Sequence, residues 1–282
     1  MYRRFLTVIV VLVVWAALAS PSQANRGVDV NIPAPGVIQR LTLTDGSRIF
    51  GQVESIDTDS IVFRSLVGIA LTVPRADIAD LRTVAGRIDD GEFLPADSHN
   101  TRLMFAPTAR SLKRGEGYFG VYYILPFVQV GVTDRFSVGG GTPLVFGDGG
   151  RPVWFTPKLQ VLARKNVQAA IGVIHITGVD DLNAGIAYGV TTLGSEDAAA
   201  TIGLGYAYSG AERSAIVMVG GDRRQSRRIK WITENWFWRG GNGFVSGGVR
   251  FIGERLTADL SLVVPLVEET IALPVVSFSW SF

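Results

Sequence analysis

Residues 276–282 read Val276-Ser277-Phe278-Ser279-Trp280-Ser281-Phe282, with an aromatic side chain at every second position and a serine between. A period of two is the side-chain period of a β-strand, so this stretch presents one wholly aromatic face and one wholly small, polar face. The same two-sidedness recurs upstream. Leu256, Ala258, Leu260, Leu262 and Val264 alternate with Thr257, Asp259 and Ser261, and Ile202, Leu204, Tyr206 and Tyr208 alternate with Gly203, Gly205 and Ala207. Ile186, Tyr188 and Val190 likewise alternate with Gly185, Ala187 and Gly189, and are expected on the apolar face. The 282-residue chain is apolar for its size, with 18% charged residues, yet beyond residue 20 no apolar run reaches the roughly 18 residues that a spanning helix needs. Apolar residues dispersed in this way suit strands that turn every second side chain to lipid.

Twelve stretches of this kind follow one another: Thr101–Ala109, Gly117–Gln129, Arg135–Val145, Pro152–Ala163, Val167–Ile176, Leu182–Thr192, Ala198–Tyr208, Ser214–Gly220, Arg227–Trp238, Phe244–Ile252, Arg255–Val264 and Leu273–Phe282. Most are longer than the five or six residues usual in soluble sheets and long enough, when tilted, to cross a bilayer. The expected fold is therefore all-β: a transmembrane antiparallel up-and-down β-barrel of about 12 strands over 101–282. An even count leaves both barrel ends on one side, and the connections on both sides are short. A terminal phenylalanine preceded by alternating aromatics also resembles the C-terminal assembly signal of bacterial outer-membrane barrels. That resemblance implies that Phe278, Trp280 and Phe282 face lipid, and that the chain meets outer-membrane lipid and the barrel-assembly machinery. Asn100–Gly141, which opens on Asn-Thr-Arg and carries Gly-Glu-Gly-Tyr and Gly-Val-Thr-Asp turns, is similar to a group of uncharacterised outer-membrane proteins. It implies fold and no activity.

The N-terminal third reads differently. Arg3 and Arg4 precede an apolar run, Phe5–Leu18, and Ser22-Gln23-Ala24 forms a cleavage box, so residues 1–24 are expected to be a secretory signal peptide. Residues 25–36, with Pro33, Pro35 and Gly36, read as a linker. Between 37 and 85, five short strands are separated by turn signals such as Asp45-Gly46. The stretch from Leu41 to Arg82, with that turn, the Gly51 bend and a charged turn after Pro74, resembles small Sm-like and SH3-like barrels. The resemblance implies a small periplasmic β domain able to bind a protein partner. RNA binding is not carried over, because an exported chain does not meet RNA and a net charge of +2 suggests no nucleic acid. Residues 86–100 read as a second linker.

Function-bearing residues are sparse. The chain has no cysteine and two histidines, His99 and His175, so no metal or cofactor site and no catalytic set is expected. Asp180-Asp181 beside His175 leaves a lipid-modifying enzyme as the third reading. Trp231, Trp236, Phe237 and Trp238, with Tyr122, Tyr123 and Trp154, suit an interfacial aromatic girdle. The polar phase of the strands places Lys158, Gln160, Asn183, Lys230, Glu234, Arg250 and Asp259 towards the lumen. Opposite charges in a barrel this narrow either pair to close it or line a hydrated path. The first functional expectation is a narrow channel for small polar solutes. The second is a non-conducting anchor that presents the periplasmic domain to a partner.

Overall fold

The computed structural model describes residues 28–145, 150–179, 183–267 and 271–282. The expected signal peptide and the Asp180-Asp181 pair lie outside them. The chain divides into two compact units, one ending at Thr83 and one running from Val84 to Phe282.

In the first unit, β1 (Ile38–Leu43), β2 (Arg48–Ile56), β3 (Ser60–Ser65), β4 (Ala70–Pro74) and β5 (Ile78–Val84) form one antiparallel sheet in the order β4-β3-β2-β1-β5, with a single 3-10 turn at Arg75–Asp77. Leu41, Val53, Ile61, Phe63, Val73 and Ile78 make its core. A bulge between Val53 and Ser55 takes the Val53 amide off the ladder, and buried Gln39 accepts it through Oε1 at 2.9 Å.

The second unit opens with a hairpin, β6 (Gly86–Asp89) and β7 (Glu92–Pro95), in the stretch expected as linker. Asp89-Asp90-Gly91 is its turn. Asp90 and Gly91 have φ of 49° and 76°, the left-handed pair that a tight hairpin requires. The hairpin is tied to the barrel rim: Arg87 pairs with Asp197, Arg227 with Glu92 at 3.2 Å, and Arg224 donates to the Pro95 carbonyl at 3.2 Å.

The barrel comprises β8 (Gly117–Tyr122), β9 (Leu125–Gly131), β10 (Phe136–Gly141), β11 (Gly150–Phe155), β12 (Lys158–Arg164), β13 (Val167–Val179), β14 (Asn183–Gly194), β15 (Ala198–Ser209), β16 (Glu212–Ser226), β17 (Ile229–Trp238), β18 (Asn242–Ile252), β19 (Leu256–Pro265) and β20 (Leu273–Ser281). Each pairs antiparallel with its neighbour, and β20 pairs with β8, which closes the sheet. β11 and β12 are halves of one strand, both lying between β10 and β13 and interrupted at Thr156-Pro157. Pro157 has no N–H for the ladder, so the break falls there. The barrel therefore has twelve strands.

That count matches the expectation through two errors that cancel. Thr101–Ala109 is no strand. Gly117–Gln129, read as one strand, is two, turning at Tyr123-Ile124 with Tyr122 opposite Leu125. Tyr123 takes φ 50° there, and neither turn residue is a glycine or asparagine, so nothing in composition marked the hairpin.

The outer surface is a belt of exposed apolar side chains that includes Ile202, Leu204, Val217, Trp231, Phe251, Leu260, Leu262, Phe278 and Trp280. An apolar belt around a closed barrel is a surface built for hydrocarbon rather than water. On β20 the phase is the expected one: Phe278, Trp280 and Phe282 are exposed, and Ser277 and Ser279 are buried. On β14 it is reversed. Val190 is buried, and Ile186 and Tyr188 share its face, so Gly185, Ala187 and Gly189 face outward. The larger residues turn inward there because the lumen at that level has an apolar partner to receive them.

Candidate functional site in the barrel lumen

That partner is the chain itself. Residues 97–112 enter the barrel at the end where Gly117 and Phe282 lie, turn at Leu103–Ala106, and leave at the same end. The Leu103 amide donates to the Ala106 carbonyl at 2.8 Å, and Arg102 bridges Pro107 across the turn. The Leu-Met-Phe-Ala run has no alternation because it has no lipid face. Leu103, Met104, Ala106 and Ala109 are buried against Ala170, Val190, Met218 and Ile232 of the wall, with Tyr188 and Trp236 alongside.

A buried irregular segment must find partners for its backbone groups, and here the wall supplies them as charges. Glu234 Oε2 accepts the amides of Met104, Phe105 and Ala106, each at 2.9 Å, while its Oε1 accepts from Trp236 Nε1 at 2.7 Å. Three successive N–H groups on one carboxylate oxygen form an anion nest. Lys158 Nζ does the converse, donating to the carbonyls of Thr101, Thr108 and Arg110 at 2.9, 3.0 and 2.6 Å. Gln160 donates to the Ala109 carbonyl at 2.8 Å, and Thr192 accepts the Ala109 amide at 2.9 Å.

The other buried charges form a chain of ion pairs between segment and wall. Arg250 grips Asp259 at 2.7 Å and reaches Asp97 at 3.3 Å; it also donates to the carbonyls of His99 at 3.0 Å and Leu103 at 2.6 Å. Lys230 lies between Asp97 at 3.1 Å and Asp222 at 3.0 Å. Arg102 meets Asp259 at 3.1 Å, and Arg110 meets Asp222 at 3.4 Å. Among the described residues, five cations and four carboxylates are buried. Lys158 and Glu234 are the two without an ionic partner, and each is satisfied instead by three backbone groups of the segment. His99 Nδ1 is 2.7 Å from Thr257 Oγ1, and its ring stands edge-on to Tyr118 at 4.5 Å.

Of the residues expected in the lumen, Lys158, Gln160, Lys230, Glu234, Arg250 and Asp259 are buried in this network. Asn183 is not: it is exposed at the first position of β14, opposite Thr177 and in phase with the outward Gly185. The girdle expectation fails for three aromatics. Tyr122 turns inward and donates to the Met104 carbonyl, Trp236 packs on the segment, and Trp154 lines the lumen, whereas Trp231 faces out and Tyr123 is exposed at the β8–β9 turn. His175 lies on the outward phase of β13, its Nδ1 2.9 Å from Tyr208 Oη. Among the described residues no cluster of His, Asp or Glu could hold a metal ion. The residues missed from sequence were Asp97, His99, Arg102 and Arg110 of the segment, on a stretch with the length of a strand but without its alternation, and Asp222 of the wall, which lies beyond the expected strand end at Gly220.

No protein-family model matches the chain, and no curated protein matches it. Solved structures similar to it include the KdgM porin, at 7% identity and a TM-score of 0.47 over 59% of this chain and 98% of the porin. The NanC porin is similar at 7% identity and a TM-score of 0.41 over 59% and 97%. A loop-deleted OmpT, an outer membrane protein of Vibrio cholerae, is similar at 10% identity and a TM-score of 0.35 over 87% and 96%. Likenesses this distant assign no role to the lumen.

Proposed function

We propose that the chain is a bacterial outer-membrane barrel whose path for small polar solutes is shut by residues 97–112 and opens when that segment withdraws. The carrying observation is that the segment is held by polar groups of the wall, through Glu234, Lys158, Arg250, Lys230 and Thr192. Water can replace such contacts one for one, and the wall they leave behind is a hydrated mixed-charge surface. Because both ends of the segment exit on one side, withdrawal requires no threading. The reading assigns no catalysis. Phe278, Trp280 and Phe282 are proposed as the assembly signal read by the barrel-assembly machinery, and the hairpin-tied end of the barrel as the periplasmic one. Residues 37–85 are proposed to be an Sm-like or SH3-like periplasmic domain; the sheet order β4-β3-β2-β1-β5 supports that likeness. A non-conducting anchor that presents this domain to a protein partner is the competing reading, favoured by the number of buried polar contacts that hold the segment in place.

Conductance in planar bilayers separates the two. The intact protein is expected to be closed, and a variant with residues 98–110 replaced by a short Gly-Ser bridge is expected to conduct small ions. A folded bridged barrel that stays silent would overturn the channel reading and leave the anchor.

A further inference from the structure

The inserted segment does not fill the lumen. Beside its tip lies a cavity of about 330 Å³, bounded by Thr101, Arg102, Phe105 and Pro107 of the segment and by residues of β8 to β14. Its wall is chiefly apolar, made of Tyr122, Phe127, Trp154, Ile174, Ile176 and Tyr188, with Arg102 and Lys158 as the charged residues that line it.

Three cross-strand pairs explain how this space arises. Phe127 lies directly opposite Gly120, Trp154 opposite Gly141, and Tyr188 opposite Gly172. A Cβ added at these glycines would come within 2.5 Å of the Phe127 ring, 2.4 Å of the Trp154 ring and 2.4 Å of the Tyr188 hydroxyl. Each ring therefore lies flat across its glycine, against the wall, instead of standing into the lumen. Phe127 and Tyr122 stack at 4.8 Å, Phe105 tilts over Tyr122 at 4.7 Å, and the Arg102 guanidinium lies 5.2 and 5.4 Å from the Tyr122 and Phe127 ring centres, so that side of the cavity is a packed aromatic cluster capped by a cation. Of its polar groups, Lys158 is engaged with the carbonyls of Thr101, Thr108 and Arg110, and Arg102 with Asp259 and Ser279. Gln129 is engaged with Ser137 and Thr156, each at 3.2 Å, whereas the Tyr188 hydroxyl has no hydrogen-bond partner among the described residues.

Flattened aromatics, a volume at the lower end of the small-molecule range and one unmet hydroxyl together describe a ligand site. We propose that this cavity binds a compact planar aromatic molecule carrying a single hydroxyl or carbonyl group, packed between the Tyr122–Phe127 cluster and Trp154 and hydrogen-bonded to Tyr188. The site exists with the segment in place, so it does not depend on the lumen's opening.

The test is calorimetric titration of the intact protein in phospholipid nanodiscs with 1-naphthol, with empty nanodiscs as the blank. Saturable one-to-one binding is expected. Tyr188→Phe, which keeps the ring, should weaken it about three- to tenfold, the worth of one hydrogen bond. Ile174→Trp, which fills the cavity, should abolish it, and Leu204→Phe on the outer face should leave it unchanged. Should Ile174→Trp fail to fold, Gly172→Ala, which lifts the Tyr188 ring into the cavity, serves the same purpose. Binding no greater than in empty nanodiscs, or equal binding in the filled and unfilled proteins, overturns the proposal.

Discussion

Replacing Glu234 by alanine removes the acceptor of three consecutive amides, Met104, Phe105 and Ala106, and of the Trp236 indole. Each buried donor left without a partner costs on the order of 1–3 kcal/mol, so the three amides alone amount to about 3–9 kcal/mol against the inserted state. Water entering from the neighbouring cavity will meet part of that demand and bring the cost towards the lower end. Even about 3 kcal/mol raises the withdrawn population roughly a hundredfold, at about 1.4 kcal/mol per factor of ten. The chain has no cysteine, so an introduced one is a unique reporter. Ala106, fully buried at the tip, is the place for it. Ala106→Cys should react with a water-soluble maleimide slowly in the otherwise native protein and on the order of a hundredfold faster when combined with Glu234→Ala. Glu234→Gln, which keeps an oxygen acceptor, should fall between. Equal labelling rates with and without the carboxylate would refute the claim that Glu234 holds the tip.

Other outcomes follow from the same contacts. Arg250→Met takes the donor from the buried His99 and Leu103 carbonyls, while Asp259 keeps Arg102 and Asp97 keeps Lys230, and should cost about 2–6 kcal/mol in equilibrium unfolding at about 1–3 kcal/mol for each carbonyl; an unchanged midpoint would contradict the network. Burial would raise the Asp197 carboxyl, but Arg87 and Arg224 outweigh it and hold it below the usual range. Its contribution is thus complete above the ordinary carboxylate pKa and lost as pH falls through the lowered one. The β6–β7 hairpin should resist proteolysis at pH 5, become cleavable by pepsin in stronger acid, and be cleavable at neutral pH in Asp197→Asn; a resistant variant at neutral pH would count against the clamp. Phe282→Ala should lower the yield of folded barrel in cells more than it lowers the stability of the refolded protein. A loss confined to stability would deny that residue its signalling role.

Strand alternation carried most of the barrel because lipid outside and polar lumen inside impose opposite demands on successive residues. It misled where that contrast disappears. On β14 the inserted segment gives the lumen an apolar surface, so Ile186, Tyr188 and Val190 turn inward and the glycine face meets the exterior. The same cause hid the segment. Thr101–Ala109 has the length of a spanning strand, but Leu103, Met104, Phe105 and Ala106 run together without a polar alternate, and Pro107 interrupts any ladder. Apart from Asp222, which lies past the expected end of its strand, the buried charges of the wall were legible as polar residues on otherwise apolar strands. Their partners were not, since Asp97, His99 and Arg102 meet Lys230, Thr257 and Asp259 across more than 120 positions of sequence. The Asp-Gly at 90–91, read as loop, was a hairpin signal whose flanking strands are only four residues each.

Residues 97–112 lie inside the barrel, and amide hydrogen exchange reads that placement out. With the protein in nanodiscs, the amides of Met104, Phe105 and Ala106 should exchange as slowly as those of the central barrel strands, although they belong to no strand. Exchange at the rate of an exposed loop would place the segment outside the lumen.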